Sequence, residues 1–357
     1  MSKEKKILRL NMQAFDAEWL LKYAYLHLKE NFSPAPWKEE LMYFVIDWLS
    51  EAETLTAQTS GSTGTPKKIS LSKKYMEVSA RMTLDYFGLK AGNKVLLCLP
   101  MRYIAAKMMM IRAFVGKLDL YCVEPKLYPY SEWTPELDFA AMTPVQAEKL
   151  METAEGISYL NRIKRLLLGG SGISKALEEK LQRLEVQVWH SYGMTETMSH
   201  IALRKVNGRD KSEFFTPLPG VELSLNNKKC LCVTAPHLGI FDLETHDEIE
   251  LSGNGSFRVL GRTDNVISSG GVKLIPEKIE QKLSKWISAP FYVGKQDDDL
   301  LGECPVLFVE SAQWPKSQTE KLKQQMKLHL ERFEIPKEIV FVKKFRRTVS
   351  GKIVRGK

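Results

Sequence analysis

Residues 59–67 read TSGSTGTPK, a run of small, hydroxylated and conformationally permissive residues that ends on a cation. Gly61 and Gly64 let the backbone turn tightly and approach a ligand closely. Thr59, Ser60, Ser62, Thr63 and Thr65 supply hydroxyls, successive N–H groups can line an anion nest, and Lys67 adds a compact positive charge. The stretch is a candidate phosphate cradle between the apolar Leu55 and Ile69. It is not a Walker P-loop, because Pro66 stands where G-x-x-x-x-G-K-[ST] needs its second glycine. A Ser/Thr/Gly surface loop is the competing reading of this string taken alone. A second candidate is Gly169-Gly170-Ser171-Gly172, which follows the apolar residues 163–168. A strand running into glycines and then a helix is where α/β sheets bind ligands, at the carboxyl end of the strand. This one lacks the full G-x-G-x-x-G spacing, and Ile173 excludes the G-x-S-x-G nucleophile elbow.

Helical periodicity covers residues 17–29 and 37–49, with Pro34 and Pro36 between. Trp37, Leu41, Phe44, Val45 and Trp48 share one face and read as core rather than as a cofactor box. Residues 71–87 predict a helix after the phosphate loop, with Ser72 as N-cap. Strand patterns at 95–99 (ended by Pro100) and 118–123 flank a helix at 105–115. Residues 134–150 read as strand, turn and helix, with Pro144 in the first helical turn. Residues 163–168 form a further strand, Ser174 can cap a helix over 175–184, and 186–189 form the next strand, followed by 190–200. This alternation predicts an α/β fold, a large N-terminal domain of mixed, largely parallel sheets flanked by helices. From Gly220 onward, short strands at 221–225, 229–234, 248–251 and 256–260 predict a small antiparallel subdomain. A polar connection over 264–271 leads to a helix at 276–286, strands near Phe291 and Val306, a charged helix at 318–332 and a basic tail. The predicted boundary falls at Asp264, giving domains 1–263 and 264–357, the second a small α+β domain.

The 357-residue length suits roughly two domains. Hydrophobic residues make up 44% of the chain, enough for a sizeable core, and the net charge of +9 favours anionic partners. No arginine-rich arm or nucleic-acid motif is present, so small anionic ligands are the simpler account. Cys98, Cys122, Cys230, Cys232 and Cys304 form no CxxC pair. The first four lie in strand-like runs and read as reduced core thiols. The first residues lack an apolar signal core. The most apolar-looking stretch, 104–115, is broken by Lys107 and Arg112 and is too short to span a bilayer. The expectation is a soluble, cytoplasmic protein with no membrane span and no nucleic-acid partner.

Four motifs occur in order: TSGSTGTPK from Thr59, SYGMTE from Ser191, THD at 245–247 ahead of GNGSFRVLGRTDNVISSGGVKLIPEKIE from Gly253, and RTVSGKIVR from Arg347. Together they resemble the acyl-adenylate-forming superfamily of acyl- and aryl-CoA synthetases, luciferases and peptide-synthetase adenylation domains. Within it, YGMTET in a short chain is most similar to the 2-succinylbenzoate–CoA ligases of menaquinone synthesis. The resemblance implies ATP and CoA as co-substrates, Mg2+, and a small carboxylic acid, with 2-succinylbenzoate leading. It implies that Thr59, Ser60, Gly61, Ser62, Thr63, Gly64 and Lys67 hold the β- and γ-phosphates, that Thr195 bonds the α-phosphate, and that Glu196 holds Mg2+. Tyr192 would stack on adenine with Gly169, Gly170 and Ser171 across from it, and Asp247 and Arg262 would take the ribose. For these residues taken alone, a helix N-terminus at Thr195-Glu196, a core tyrosine and a surface ion pair are the plain alternatives.

Lys352 would bridge the acid and the α-phosphate. Asp264 would be the hinge of a mobile C-terminal domain, with Gly270, Gly271 and Lys273 turning to the CoA side. Ser199 and His200 would line the acyl pocket, with Arg204 or Lys205 meeting a second carboxylate; a structural histidine is the alternative for His200. The chain departs from the pattern in carrying only 58 residues before the phosphate loop, in THD for the usual TGD, in Lys68 after the loop lysine, and in His190 where asparagine or aspartate is common near adenine. An enzyme loading another acid onto CoA or a carrier protein, and a nucleotide-binding protein without turnover, remain the alternative readings. The oligomeric state stays open, a homodimer included.

Overall fold

The computed structural model describes residues 7–29, 35–58, 68–132, 134–348 and 353–355. The chain divides into two compact units, one of residues 1–173, 177–221 and 235–241, the other of 174–176, 222–234 and 242–357. In chain order the first half carries β1 (Ile7–Leu10), β2 (Gln13–Asp16), α1 (Ala17–Lys29), α2 (Pro36–Leu49), β3 (Thr54–Gln58), β4 (Lys68–Ser72), α3 (Lys73–Phe87), β5 (Lys94–Leu97), α4 (Ile104–Gly116), β6 (Asp119–Cys122), β7 (Phe139–Met142), α5 (Pro144–Leu150), α6 (Ala154–Asn161) and β8 (Arg165–Leu168). There follow α7 (Lys175–Leu181), β9 (Gln187–Gly193), β10 (His200–Lys205), β11 (Thr216–Pro217), β12 (Glu222–Leu225), β13 (Cys230–Ala235), β14 (Ile240–Leu251), β15 (Phe257–Arg262), β16 (Ile267–Ser269), β17 (Val272–Leu274), α8 (Pro276–Leu283), β18 (Phe291–Asp298), β19 (Gly302–Glu310), α9 (Lys316–His329) and β20 (Glu338–Val342).

The first unit is built on a nine-stranded sheet ordered β11-β10-β9-β8-β7-β5-β6-β1-β2. Its six central strands, from β9 to β1, run parallel, and antiparallel strands close both edges. The centre reads KVLL, FAAM and RLLL, short unbroken apolar runs typical of strands covered on both faces. Phe139, Ala140, Leu166, Leu168 and Val188 are buried there. Helix α4 packs on α3 and on β1, β5 and β6. Thr143 caps α5 through a reciprocal pair: its hydroxyl accepts from the Gln146 N–H, and the Gln146 side chain accepts from the Thr143 N–H.

The second unit holds a four-stranded sheet, β12-β13-β14-β15, and a five-stranded sheet with the path β17-β16-β19-β18, where β20 also pairs with β19. The latter packs α8 and α9 over Ile267, Ile279, Leu283, Val293, Leu307, Leu322 and Met326. Compactness therefore groups β12–β15 with the C-terminal segments, and α8 lies on β15.

Several sequence expectations change. Residues 71–72 belong to β4, and Ser72, although at the N-cap, makes no side-chain capping bond. β9 runs on through His190, Ser191 and Tyr192 to Gly193, where polar residues interrupt the apolar run, and β14 begins at Ile240, where exposed polar residues do the same. The 264–271 connection contains β16, joined to β17 across Gly270 and Gly271 at φ +56° and +81°, the left-handed pair that suits a two-residue hairpin. Helix α8 ends at Leu283, and α9 spans 316–329. Helix α6 and the tail strand β20 carried no recognised signal. Phe44, Val45 and Trp48 are buried, so their stripe is core. The five cysteines are unpaired, and burial pushes the Cys98 and Cys122 thiols up to about 12. Among the described residues no helix is long and apolar enough to cross a membrane.

Candidate functional site

The glycine loop leaves the carboxyl end of β8 beside β9. The Gly169 N–H donates to Met142 O (3.1 Å), and the Ser191 hydroxyl donates to Leu168 O (3.1 Å). A Cβ on Gly169 would lie 2.3 Å from that hydroxyl, and Gly170 sits at φ +85°. Both glycines are thus required by the local path. Tyr192, next to the end of β9, packs its ring against Phe215 at 5.9 Å. His190 is only 8% exposed. Its Nε2 lies 3.0 Å from Ser171 O, and its Nδ1 accepts from Arg204 Nε at 3.2 Å. Burial, then the Arg204 charge, lower its pKa to about 3.

Thr195 and Glu196 stand in the tight turn between β9 and the antiparallel β10, not at a helix N-terminus. The Met194 N–H donates to the Thr197 hydroxyl (3.0 Å), which donates to Ser199 O (2.7 Å); Met198 takes φ +60°. Thr195 is buried and Glu196 exposed, so one carboxylate is presented at the turn. Among the described residues no group of three or more His, Cys, Asp or Glu side chains could hold a metal. A lone carboxylate does fit Mg2+, which keeps several waters and is completed by substrate phosphates.

Behind this turn Arg112 of α4 is 2% exposed. Its guanidinium donates to the Ser199 hydroxyl at 2.6 Å, Nε is buried with no hydrogen-bond partner, and no carboxylate among the described residues pairs with it. Burial lowers its pKa to about 10. The Ser199 hydroxyl also meets His200 Nδ1 at 3.2 Å, and His200 Nε2 meets the Thr83 hydroxyl at 3.4 Å. Burial and then Arg112 hold His200 well below the usual histidine range, so the ring is neutral and bonded at both nitrogens. In the sequence Arg112 stands out only as a lone cation amid MMMIRAF.

Arg204, a candidate to meet a second carboxylate, already has partners within the protein. It is buried, with donors given to Glu178 (3.0 Å), His190 and Ser212 O, and it lies over the Phe215 ring. Lys205 pairs with Asp210 at 3.3 Å.

In the second unit, Asp247 faces Arg262 across β14 and β15 and is 7% exposed. Arg262 binds Asp247 Oδ1 (2.8 Å) and Asp264 Oδ2 (2.7 Å), and His246 Nδ1 meets Asp264 Oδ1 at 3.0 Å. Burial opposes the Arg262 charge, but Asp264 and Asp247 outweigh it and raise its pKa. The carboxylate–guanidinium array is therefore half sequestered rather than a loose surface pair. Lys273 is exposed beside the Gly270-Gly271 turn. Thr59, Ser60, Gly61, Ser62, Thr63, Gly64 and Lys67 lie outside the described residues, as does Lys352. The hairpin β3–β4 brackets the first group, with Gln58 paired to Lys68.

Residues 47–236 match the family described as AMP-binding enzyme, and residues 291–352 match the AMP-binding enzyme C-terminal domain. A 2-succinylbenzoate–CoA ligase of Listeria monocytogenes is 28% identical over 328 residues, 84% of this chain and 68% of that protein. Among solved structures, an acyl-CoA synthetase (AMP-forming)/AMP-acid ligase II-like protein from Dyadobacter fermentans is 33% identical with TM-score 0.61, covering 92% of this chain and 95% of its own. The o-succinylbenzoate CoA synthetase of Bacillus subtilis, in complex with the acyl-adenylate intermediate OSB-AMP, has TM-score 0.68 at 20% identity, covering 84% and 67%. With two family matches in chain order on a sheet of this topology, the chain belongs to the AMP-binding enzyme family.

Proposed function

We propose that the protein is an ATP-dependent acid–CoA ligase acting through an acyl-adenylate, and that its acid is 2-succinylbenzoate. Joining a carboxylate to the α-phosphate brings two anions together, so the site must supply donors and positive charge aimed at phosphoryl oxygens. Residues 59–67 would hold the β- and γ-phosphates, and Thr195 would bond the α-phosphate. Tyr192 and the Gly169–Ser171 loop would take adenine, and Asp247 and Arg262 the ribose. Glu196 would hold Mg2+, whose charge offsets that of the phosphates. The Lys352 ammonium would bridge the attacking carboxylate and the α-phosphate, where charge grows in the transition state. The Arg262–Asp264–His246 contacts lie where a hinge at Asp264 would turn residues 264–357 between the two half-reactions, bringing Gly270, Gly271 and Lys273 to CoA.

The observation that carries the choice of acid is Arg112. A guanidinium that is 2% exposed, with no carboxylate partner among the described residues, is a costly arrangement unless an anion arrives with the ligand. It adjoins Ser199, four residues beyond Thr195. An acid with a second carboxylate supplies that anion; a simple alkyl acid does not. The named relatives point to the same acid.

The test is pyrophosphate release with ATP and Mg2+ across a panel of acids, with and without CoA. Release with 2-succinylbenzoate, and a CoA thioester identified by mass, is expected. Release with a different acid would replace the substrate. Adenylate formation without any CoA thioester would point to a carrier-protein acceptor, and no release by folded, ATP-binding protein would favour a binding role.

A further inference from the structure

The Gly169–Ser171 loop is fixed by a relay of side chains that the proposed chemistry does not use. Glu178 on α7 meets Arg204 Nη1 at 3.0 Å, Arg204 Nε meets His190 Nδ1 at 3.2 Å, and His190 Nε2 meets Ser171 O at 3.0 Å. The direction of every bond is forced. A guanidinium N–H can only donate, so His190 Nδ1 is bare. A carbonyl can only accept, so the proton sits on Nε2. Glu178 balances the Arg204 charge, and the Phe215 ring lies against both Arg204 (5.6 Å) and His190 (5.1 Å). Both ring nitrogens are therefore spent inside the protein, which leaves His190 without a polar edge for a ligand.

We infer that His190 is a positioning residue for nucleotide binding: it anchors the Ser171 carbonyl, and so the loop beside Tyr192, through a tautomer imposed by the Glu178–Arg204 pair. The loop has a side-chain anchor on each side. Ser191 holds Leu168 O ahead of the glycines, and His190 holds Ser171 O after them. Between them Gly170 takes a left-handed turn. With the second anchor removed, Gly170 can swing and the loop loses its set distance from Tyr192. The ring remains neutral down to about pH 3, so the anchor does not change across the working range. This inference rests on the reading that the loop faces adenine.

Three variants separate the contributions. His190→Asn keeps an acceptor near Nδ1 but cannot reach Ser171 O. His190→Gln places an amide N–H near the position of Nε2. Glu178→Gln leaves the Arg204 charge unbalanced. The Asn variant is expected to raise the ATP KM about 5- to 10-fold, the loss of one neutral hydrogen bond, with kcat and the acid KM within about 2-fold. The Gln variant is expected to recover most of the loss. Nitrogen-15 spectra of histidine-labelled protein should place the His190 proton on Nε2, unchanged from pH 5 to 8. A proton on Nδ1, an acid KM that rises with the ATP KM, or no recovery by Gln at equal Tm would overturn the inference. Calorimetry with ATP separates the two levels. Wild type that binds no adenine nucleotide removes both the functional reading and this inference, whereas tight binding undiminished in His190→Asn removes the inference alone.

Discussion

Replacing Arg112 with methionine should make the protein more stable and much worse at binding its acid. Burial takes the guanidinium well below its ordinary range, to about 10. That corresponds to about 3 kcal/mol against the charged form in the fold. The one bond to Ser199, at 2.6 Å, returns about 1.5–3 kcal/mol. A methionine of similar reach removes both terms, leaving a net gain of about 1 kcal/mol, or a Tm rise of about 2–4 °C. The pH dependence has a definite sign. A base whose pKa is lowered on folding carries its penalty at every pH below the folded value and loses it only as the pH rises beyond about 10. The Tm gain should therefore be flat from pH 6 to 9. With the acid present the balance reverses, because the guanidinium meets a buried anion. Loss of one partner of such a pair costs about 2–4 kcal/mol, so the KM for 2-succinylbenzoate should rise about 30- to 1,000-fold. The KM for ATP should change little. The assay is pyrophosphate release with the diacid and with its two mono-carboxylate analogues. One analogue should lose as much as the mutation does, and the mutation should then cost that analogue almost nothing. A fall in Tm with an unchanged acid KM would refute the reasoning and make Arg112 a structural residue.

Lys352→Ala should slow adenylate formation about 100- to 1,000-fold, as loss of a preorganised donor does, while thioester formation from supplied acyl-adenylate is spared; equal loss of both steps would argue against the bridging role. Asp264→Pro should keep pyrophosphate release and reduce thioester formation, measured by CoA consumption; parallel loss would place the hinge elsewhere. Gly261→Ala should destabilise the second unit by about 1–3 kcal/mol, read by urea unfolding, because the new methyl would lie 2.3 Å from Ile275 Cγ2 and 2.6 Å from Glu277 Oε2. An unchanged midpoint would mean that α8 can move off β15.

The parallel centre of the sheet was legible because its strands are buried on both faces and read as unbroken apolar runs such as RLLL. The thread of β9 through SYG was not, because a strand end that faces a site carries polar residues and breaks the alternation on which periodicity depends. β20 was hidden for a related reason. EIVFV sits in a lysine-rich tail, and its pairing with β19 is a long-range contact that local pattern does not encode. Motif spacing put Asp247 and Arg262 together, and they are cross-strand neighbours. The Asp264 contact to His246 was invisible, since a histidine in place of glycine reads only as a departure until its partner is known.

Arg112 and Arg204 show where the reading of a site from residue types must stop. Both are buried arginines close to the β9–β10 turn, at 2% and 8% exposure. Sequence proximity to the motif favoured Arg204. What distinguishes them is the neighbouring charge. Arg204 has Glu178 at 3.0 Å, which satisfies it without any ligand and leaves its Nε N–H to orient His190. Arg112 has a neutral hydroxyl and an orphaned Nε. A compensated cation can rigidify a fold, but it has little attraction left for an incoming carboxylate. An uncompensated one is costly in the empty protein and gains when an anion binds, which is the differential interaction that selects a substrate. The same physics predicts a reciprocal pair of swaps. Glu178→Gln should free positive charge beside His190 without improving use of the diacid, because Arg204 remains bonded to Ser212 O and His190. A carboxylate introduced at Ser199 should neutralise Arg112 and suppress the diacid, while raising Tm. If instead the Ser199→Asp variant kept its acid KM, the anion would bind elsewhere, and the case for a dicarboxylate would fall with it.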